Sequence, residues 1–149
     1  MKDAITEGQN FWLQTKTIVA LALSLLALAE IIDLTIVAVA LPNIMGALSA
    51  NIDEISLTIT SYIVAAAVFI PLTGFVTEKF GVKRVALISA ALFGISSILC
   101  GLATSVPEMV FFRLLQGIGG AFMPSLVQGY IADNFKDGQE RNKMMAVFS

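Results

Sequence analysis

Apolar residues along this chain do not alternate with polar ones; they come in long unbroken runs. The runs extend from Thr17 to Leu41, from about Ile55 to Thr77, from about Val85 to Ala103 and from Ser105 to about Ala132. A helix rises about 1.5 Å per residue and a bilayer's hydrocarbon core is roughly 30 Å thick, so runs of this length predict four membrane-spanning helices. The first run is too long for the core of a signal peptide, about 7–15 residues, and reads as a retained span. Pro42 follows it and, lacking an amide hydrogen, ends or kinks that helix. Ser105-Val106-Pro107-Glu108 reads as the start of the fourth, with a serine cap, a proline in the first turn and an acid three residues after the serine. Beyond a polar stretch from Asp133 to Lys143, the apolar Met144 to Phe148 reads as the beginning of a fifth span near residue 144. The expected fold class is all-α integral membrane.

Composition agrees: 57% of the 149 residues are hydrophobic and 13% are charged, against about 45–50% and about 25% in ordinary soluble domains. The net charge of −2 gives no reason to expect a nucleic-acid partner, and where the charges fall says more than their sum. Lys2 and Lys16 precede the first span, Lys79, Lys83 and Arg84 separate the second from the third, and Lys136, Arg141 and Lys143 follow the fourth. The other two connections carry no lysine or arginine. By the positive-inside rule, residues 1–16 are a cytoplasmic N-terminus, and residues 17–149 cross the membrane in alternating directions. Cys100 is the single cysteine and histidine is absent, which excludes a disulfide framework and any ordinary transition-metal site. With no nucleophile beside a base and no phosphate loop, the pattern is not that of an enzyme.

Away from the span ends, three charged residues interrupt the apolar runs: Glu30 and Asp33 in the first and Arg113 in the fourth. Such a residue costs roughly 2.5–3.5 kcal/mol to insert at a helix centre even on the lenient scale, so it usually faces a protein interior or a water-filled path. Asp33 and Arg113 each lie eight residues, roughly 12 Å, from the outer ends of their helices, so they can meet at one level. Glu30 lies three positions before Asp33, on nearly the same face and about one turn deeper. An acidic stripe facing an arginine suggests a route for protons or charged solutes; the plainer alternative is an arginine that ties helices together or snorkels outward. Gly117, Gly119 and Gly120 form a small-residue patch suited to close helix packing. Thr35, Tyr62, Gln116, Phe122 and Met123 are the candidate residues for a substrate cavity.

Three segments resemble one family. Asp33-Leu34-Thr35-Ile36-Val37-Ala38-Val39-Ala40-Leu41-Pro42 is similar to the first-helix motif of the fourteen-helix drug:proton antiporters of the EmrB/QacA type, within the major facilitator superfamily. Gly74-Phe75-Val76-Thr77-Glu78-Lys79-Phe80-Gly81-Val82-Lys83-Arg84 resembles the superfamily's cytoplasmic loop motif, and Arg113-Leu114-Leu115-Gln116-Gly117-Ile118-Gly119-Gly120 resembles its proton-coupling motif in the fourth helix. Phe111-Phe112, Pro124 and Ile70-Pro71-Leu72-Thr73-Gly74 look particularly like the EmrB group. Glu78, Val82, Ala38 and Leu57 depart from the residues usual in the family.

The resemblance implies helices one to four of a transporter, with the start of helix five. It further implies proton-driven efflux of lipophilic or cationic drugs across a bacterial inner membrane, with no cofactor beyond the coupling proton, and a periplasmic adaptor and outer-membrane channel as partners. In that reading Asp33, Glu30 and Arg113 couple protons, while Gly74, Glu78, Lys79, Gly81, Lys83 and Arg84 latch the cytoplasmic side. The alternatives are a truncated membrane fragment that does not transport and, less in keeping with the long loop motif, a small oligomeric four-helix exporter.

Overall fold

The computed structural model describes residues 2–135 and 138–148, and every regular element among them is helical. α1 covers Lys2–Leu48, α2 Ile52–Phe69, α3 Thr73–Phe80, α4 Val82–Leu102, α5 Val106–Asn134 and α6 Gly138–Phe148, with a 3₁₀ turn at Ile70–Leu72 joining α2 to α3. Four stretches are long and apolar enough to cross a membrane: Thr15–Leu48, Ile52–Phe80, Val82–Leu102 and Val106–Asn134.

The ends of these helices follow local chemistry more than hydropathy. α1 continues through Pro42 to Leu48, so the proline does not end the helix. The ring removes one hydrogen bond, to the Ala38 carbonyl, and a membrane helix tolerates that loss. α2 starts at Ile52, ahead of its apolar run, because Asn51 and Glu54 form a reciprocal cap: the Glu54 amide donates to Asn51 Oδ1 at 2.9 Å and the Asn51 amide donates to Glu54 Oε2 at 3.0 Å. Asn51→Ala should therefore lower stability by about 1 kcal/mol in thermal unfolding of the detergent-solubilised protein.

At α5 the serine side chain expected to cap makes no such bond. Instead Glu108 reaches back past it, its Oε2 accepting from both the amide and the hydroxyl of Thr104 at 3.0 Å. Gly81 turns α3 into α4 with φ 82°, a left-handed conformation that a side chain would strain. α6 begins at Gly138, several residues before the apolar segment near 144; Lys136 lies outside the described residues.

α5 is the central element, packed against α1, α2 and α4. Its buried face includes Gly117, Gly119, Gly120 and Ala121. Ala20, Leu23 and Ala27 of α1 join Val85, Ala86 and Phe93 of α4 and Met123, Leu126, Val127 and Ile131 of α5 in the main apolar core. The outward faces carry Leu25, Ile36, Val64, Ile88, Ile98 and Phe111, all exposed. A bundle greasy on its outside as well as its inside is built for lipid, where each helix satisfies its own backbone hydrogen bonds.

Candidate functional site

The polar centre of the bundle gathers around α5. Arg113 stands two turns into that helix, only 2% exposed, and donates through Nη1 to Asp33 Oδ2 of α1 at 2.7 Å. The same nitrogen lies 2.9 Å from Gln116 Oε1, one turn further along α5. Gln116 Oε1 also accepts a weak bond from the Cys100 thiol of α4 at 3.7 Å, and Ser97 of α4 reaches Asp33 Oδ1 at 3.5 Å. Three helices thus converge on one ion pair. Arg113 Nε and Gln116 Nε2 are buried without a partner among the described residues, a desolvation cost that the ion pair has to offset.

Glu30, one turn from Asp33 on α1, does not meet the arginine. Its Oε1 accepts a hydrogen bond from the Tyr62 hydroxyl of α2 at 2.9 Å. Tyr62 touches both groups, its hydroxyl bonded to Glu30 and its ring centroid 6.0 Å from Arg113 Cζ, within cation–π range. The glycines of α5 make this arrangement fit. A Cβ on Gly117 would lie 2.5 Å from the Tyr62 carbonyl oxygen, and one on Gly120 would collide with the Tyr62 hydroxyl. Gly119 faces the other way, where a Cβ would come 2.8 Å from the Phe93 amide nitrogen of α4.

A cleft of about 270 Å³ opens beside the ion pair, toward the end of the bundle that carries the Ser49–Asn51 and Ala103–Ser105 connections. Asp33 and Arg113 form its floor, Ile36, Val37 and Ile44 of α1 one wall, and Ser97, Cys100 and Met109 the other. None of the five candidate cavity residues borders it. Thr35 is exposed and spends its hydroxyl on the Ile31 carbonyl at 2.9 Å. Tyr62 and Gln116 are buried in the polar network, Met123 belongs to the apolar core, and Phe122 is half-buried edge-on to Phe69 with ring centroids 6.3 Å apart.

At the opposite end, Gly81 makes the turn, while Gly74, Glu78, Lys79, Lys83 and Arg84 are exposed. Glu78 forms no ion pair with these basic residues among the described residues, and Lys79 Nζ lies over the rings of Phe80 and Phe75 at 5.6 and 5.9 Å. Gly74 lines a second cavity of about 410 Å³, with Thr77 and with Ser125, Tyr130 and Asp133 of α5. Ser97 beside Asp33 and the notch between Ser89 and Phe93 belong to no motif in the sequence. Ser89, Ser96 and Ser97 within the apolar run of α4 after Arg84 are the signal that points to them.

Residues 23–149 match the sequence profile of the Major Facilitator Superfamily. The chain belongs to that superfamily. Among its superfamily relatives it is 38% identical over 133 residues to the Multidrug export protein EmrB of Haemophilus influenzae, covering 89% of this chain and 26% of that protein. It is 37% identical over 131 residues to the Probable multidrug resistance protein EmrY of Escherichia coli, covering 88% of this chain and 25% of that one. The Fatty acid resistance protein FarB of Neisseria gonorrhoeae is 43% identical over 107 residues, 71% of this chain and 21% of its own. The chain thus spans about a quarter of the length of these curated relatives. As a superfamily member with four membrane-length helices, it is a membrane-embedded protein.

Proposed function

We propose that the protein exports amphipathic, drug-like solutes across the bacterial inner membrane in exchange for protons, with its N-terminus in the cytoplasm and Asp33–Arg113 as the coupling pair. The observation that carries this reading is the ion pair at the floor of the cleft. A guanidinium stays charged in any protein environment, so it holds the Asp33 carboxylate until a proton or a cationic solute competes for the same oxygen. A carboxylate released from arginine and one bound to it favour different helix positions, because α1 and α5 are joined there by that contact. Exchange of the two positive ligands at one acid then links solute movement to proton movement as the cleft alternates between membrane faces.

The names of the EmrB and EmrY relatives support drug-like solutes, and the spacing of lysine and arginine supports the orientation. Similarity to EmrB also makes a periplasmic adaptor and an outer-membrane channel reasonable partners. The exposed charges at Glu78, Lys79, Lys83 and Arg84 suit a latch to other helices on the cytoplasmic side.

The test is transport of ethidium by the full-length protein reconstituted in liposomes under an imposed pH gradient. Asp33→Asn keeps shape and removes charge, and should reduce gradient-driven transport to the level of empty liposomes while leaving protein insertion unchanged. Normal, pH-dependent transport by that variant would make Arg113 a structural brace and nothing more.

A further inference from the structure

A serine or threonine inside a membrane helix commonly bonds its own helix. Ser24, Thr35, Ser56, Thr60 and Thr77 each donate to the carbonyl four residues back, at 2.6–3.0 Å. Ser97 reaches across instead, from α4 to Asp33 Oδ1 of α1 at 3.5 Å. Arg113 Nη1 holds the other carboxylate oxygen, Oδ2, at 2.7 Å, so two helices grip one carboxylate at two atoms. Ser97 and Asp33 both border the cleft. The charged and titratable groups that act on Asp33 are Arg113 of α5, Cys100 of α4, Tyr62 of α2 and Glu30 one turn away on α1. These neighbours differ in what they offer Asp33 once it has taken a proton, because the acid's O–H then needs an acceptor. A guanidinium has donors alone, and Gln116 Oε1 is already bonded to Arg113 Nη1. A serine hydroxyl carries one donor and two acceptor lone pairs. Ser97 can therefore donate to the carboxylate and accept from the acid without leaving its place.

We propose that Ser97 is a positioning residue of the exchange site: it donates to Asp33 while the carboxylate is charged and accepts from it once a proton is bound, favouring proton over solute there. The inference rests on the exchange reading above and adds to it a group on α4. An incoming proton forms an O–H bond at Oδ1, the arginine loses its charged partner, and the new O–H donates to Ser97 Oγ. The serine's own hydrogen turns back to the Phe93 carbonyl four residues earlier, the kind of bond that the other hydroxyls of the spans already make. When the proton leaves, the rotation reverses. A cation with no N–H or O–H, such as tetraphenylphosphonium, has no hydrogen to give the serine, so the acceptor face of Ser97 serves the proton alone.

That preference is read by binding tetraphenylphosphonium to the purified full-length protein in detergent and displacing it by lowering the pH. Ser97→Ala should move half-displacement about 0.5–1 pH unit toward acid, the worth of one ordinary hydrogen bond expressed as a proton affinity. Ser97→Thr keeps the hydroxyl and should restore the wild-type midpoint. A second readout needs no solute. In infrared difference spectra between acid and alkaline pH, the C=O stretch of protonated Asp33 is identified by its absence in Asp33→Asn. It should move to higher wavenumber in Ser97→Ala and return in Ser97→Thr, because an acid O–H that loses its acceptor stiffens the carbonyl beside it.

With acid displacing the cation from the wild type, an unchanged midpoint or an unchanged stretch in Ser97→Ala would overturn the role of Ser97 alone. A shift that Ser97→Thr shares with Ser97→Ala would overturn it too, since the hydroxyl would then not be what matters. If acid fails to displace the cation from the wild type, or displaces it equally from Asp33→Asn, the exchange reading falls and this inference falls with it.

Discussion

Arg113→Ala is expected to be the most damaging single substitution in the chain, removing coupled transport and about 3–5 kcal/mol of stability together. The loss follows from what stays behind. Asp33 would keep only Ser97, at 3.5 Å, and Gln116 Oε1 only the weak thiol contact at 3.7 Å. Arg113→Lys retains the charge but replaces a planar fork with a compact ammonium, and should recover part of the stability. The double change Asp33→Asn with Arg113→Gln removes both charges, leaves no buried ion without its partner, and should unfold near the wild-type temperature while transporting nothing in response to a pH gradient. Thermal unfolding in detergent read beside ethidium transport separates these cases, because a purely structural arginine would lose both properties and regain both.

The second large effect concerns α5's glycines. Gly119→Ala places a methyl group 2.8 Å from the Phe93 amide nitrogen and 3.0 Å from the Ser89 carbonyl oxygen, and Gly117→Ala places one 2.5 Å from the Tyr62 carbonyl oxygen. These are backbone atoms, so no side chain can swing aside and the helices themselves must separate. Each change should cost about 1–3 kcal/mol. Gly94→Ala on α4 is the matched control, since its Cβ would meet nothing within 4 Å. Helix propensity alone should make that variant up to about 1 kcal/mol more stable. Equal destabilisation at Gly94 and Gly119 would mean that close packing of α4 on α5 is not what the glycine at 119 provides.

The spans are legible in the sequence because lipid demands apolar side chains around most of a helix, and an unbroken apolar run of that length suits little besides a bilayer. Their ends are harder to read. Asn51 with Glu54 and Thr104 with Glu108 set helix starts through side-chain hydrogen bonds that hydropathy does not register. Counting residues gives Asp33 and Arg113 a common depth because the rise of a helix is fixed. It cannot give azimuth or neighbours, and so cannot reveal that Tyr62 of α2 bonds Glu30 and lies beside the arginine, or that Gln116 turns inward to Arg113. The scattered positions of Thr35, Phe122 and Met123 have the same origin: a polar hydroxyl, a ring or a thioether says nothing by itself about which side of a membrane helix it occupies.

The unbroken course of α1 through Pro42 gives the cleft an asymmetric construction. Ile44, Ala47 and Leu48, which line it near its mouth, all lie beyond the proline, whereas Ser97, Cys100 and Gly101 on the facing side belong to uninterrupted turns of α4. Bending at Pro42 breaks no hydrogen bond, because the one to the Ala38 carbonyl is already missing. The α1 side of the entrance above Asp33 is therefore cheaper to bend than the α4 side, whose backbone hydrogen bonds would have to break first.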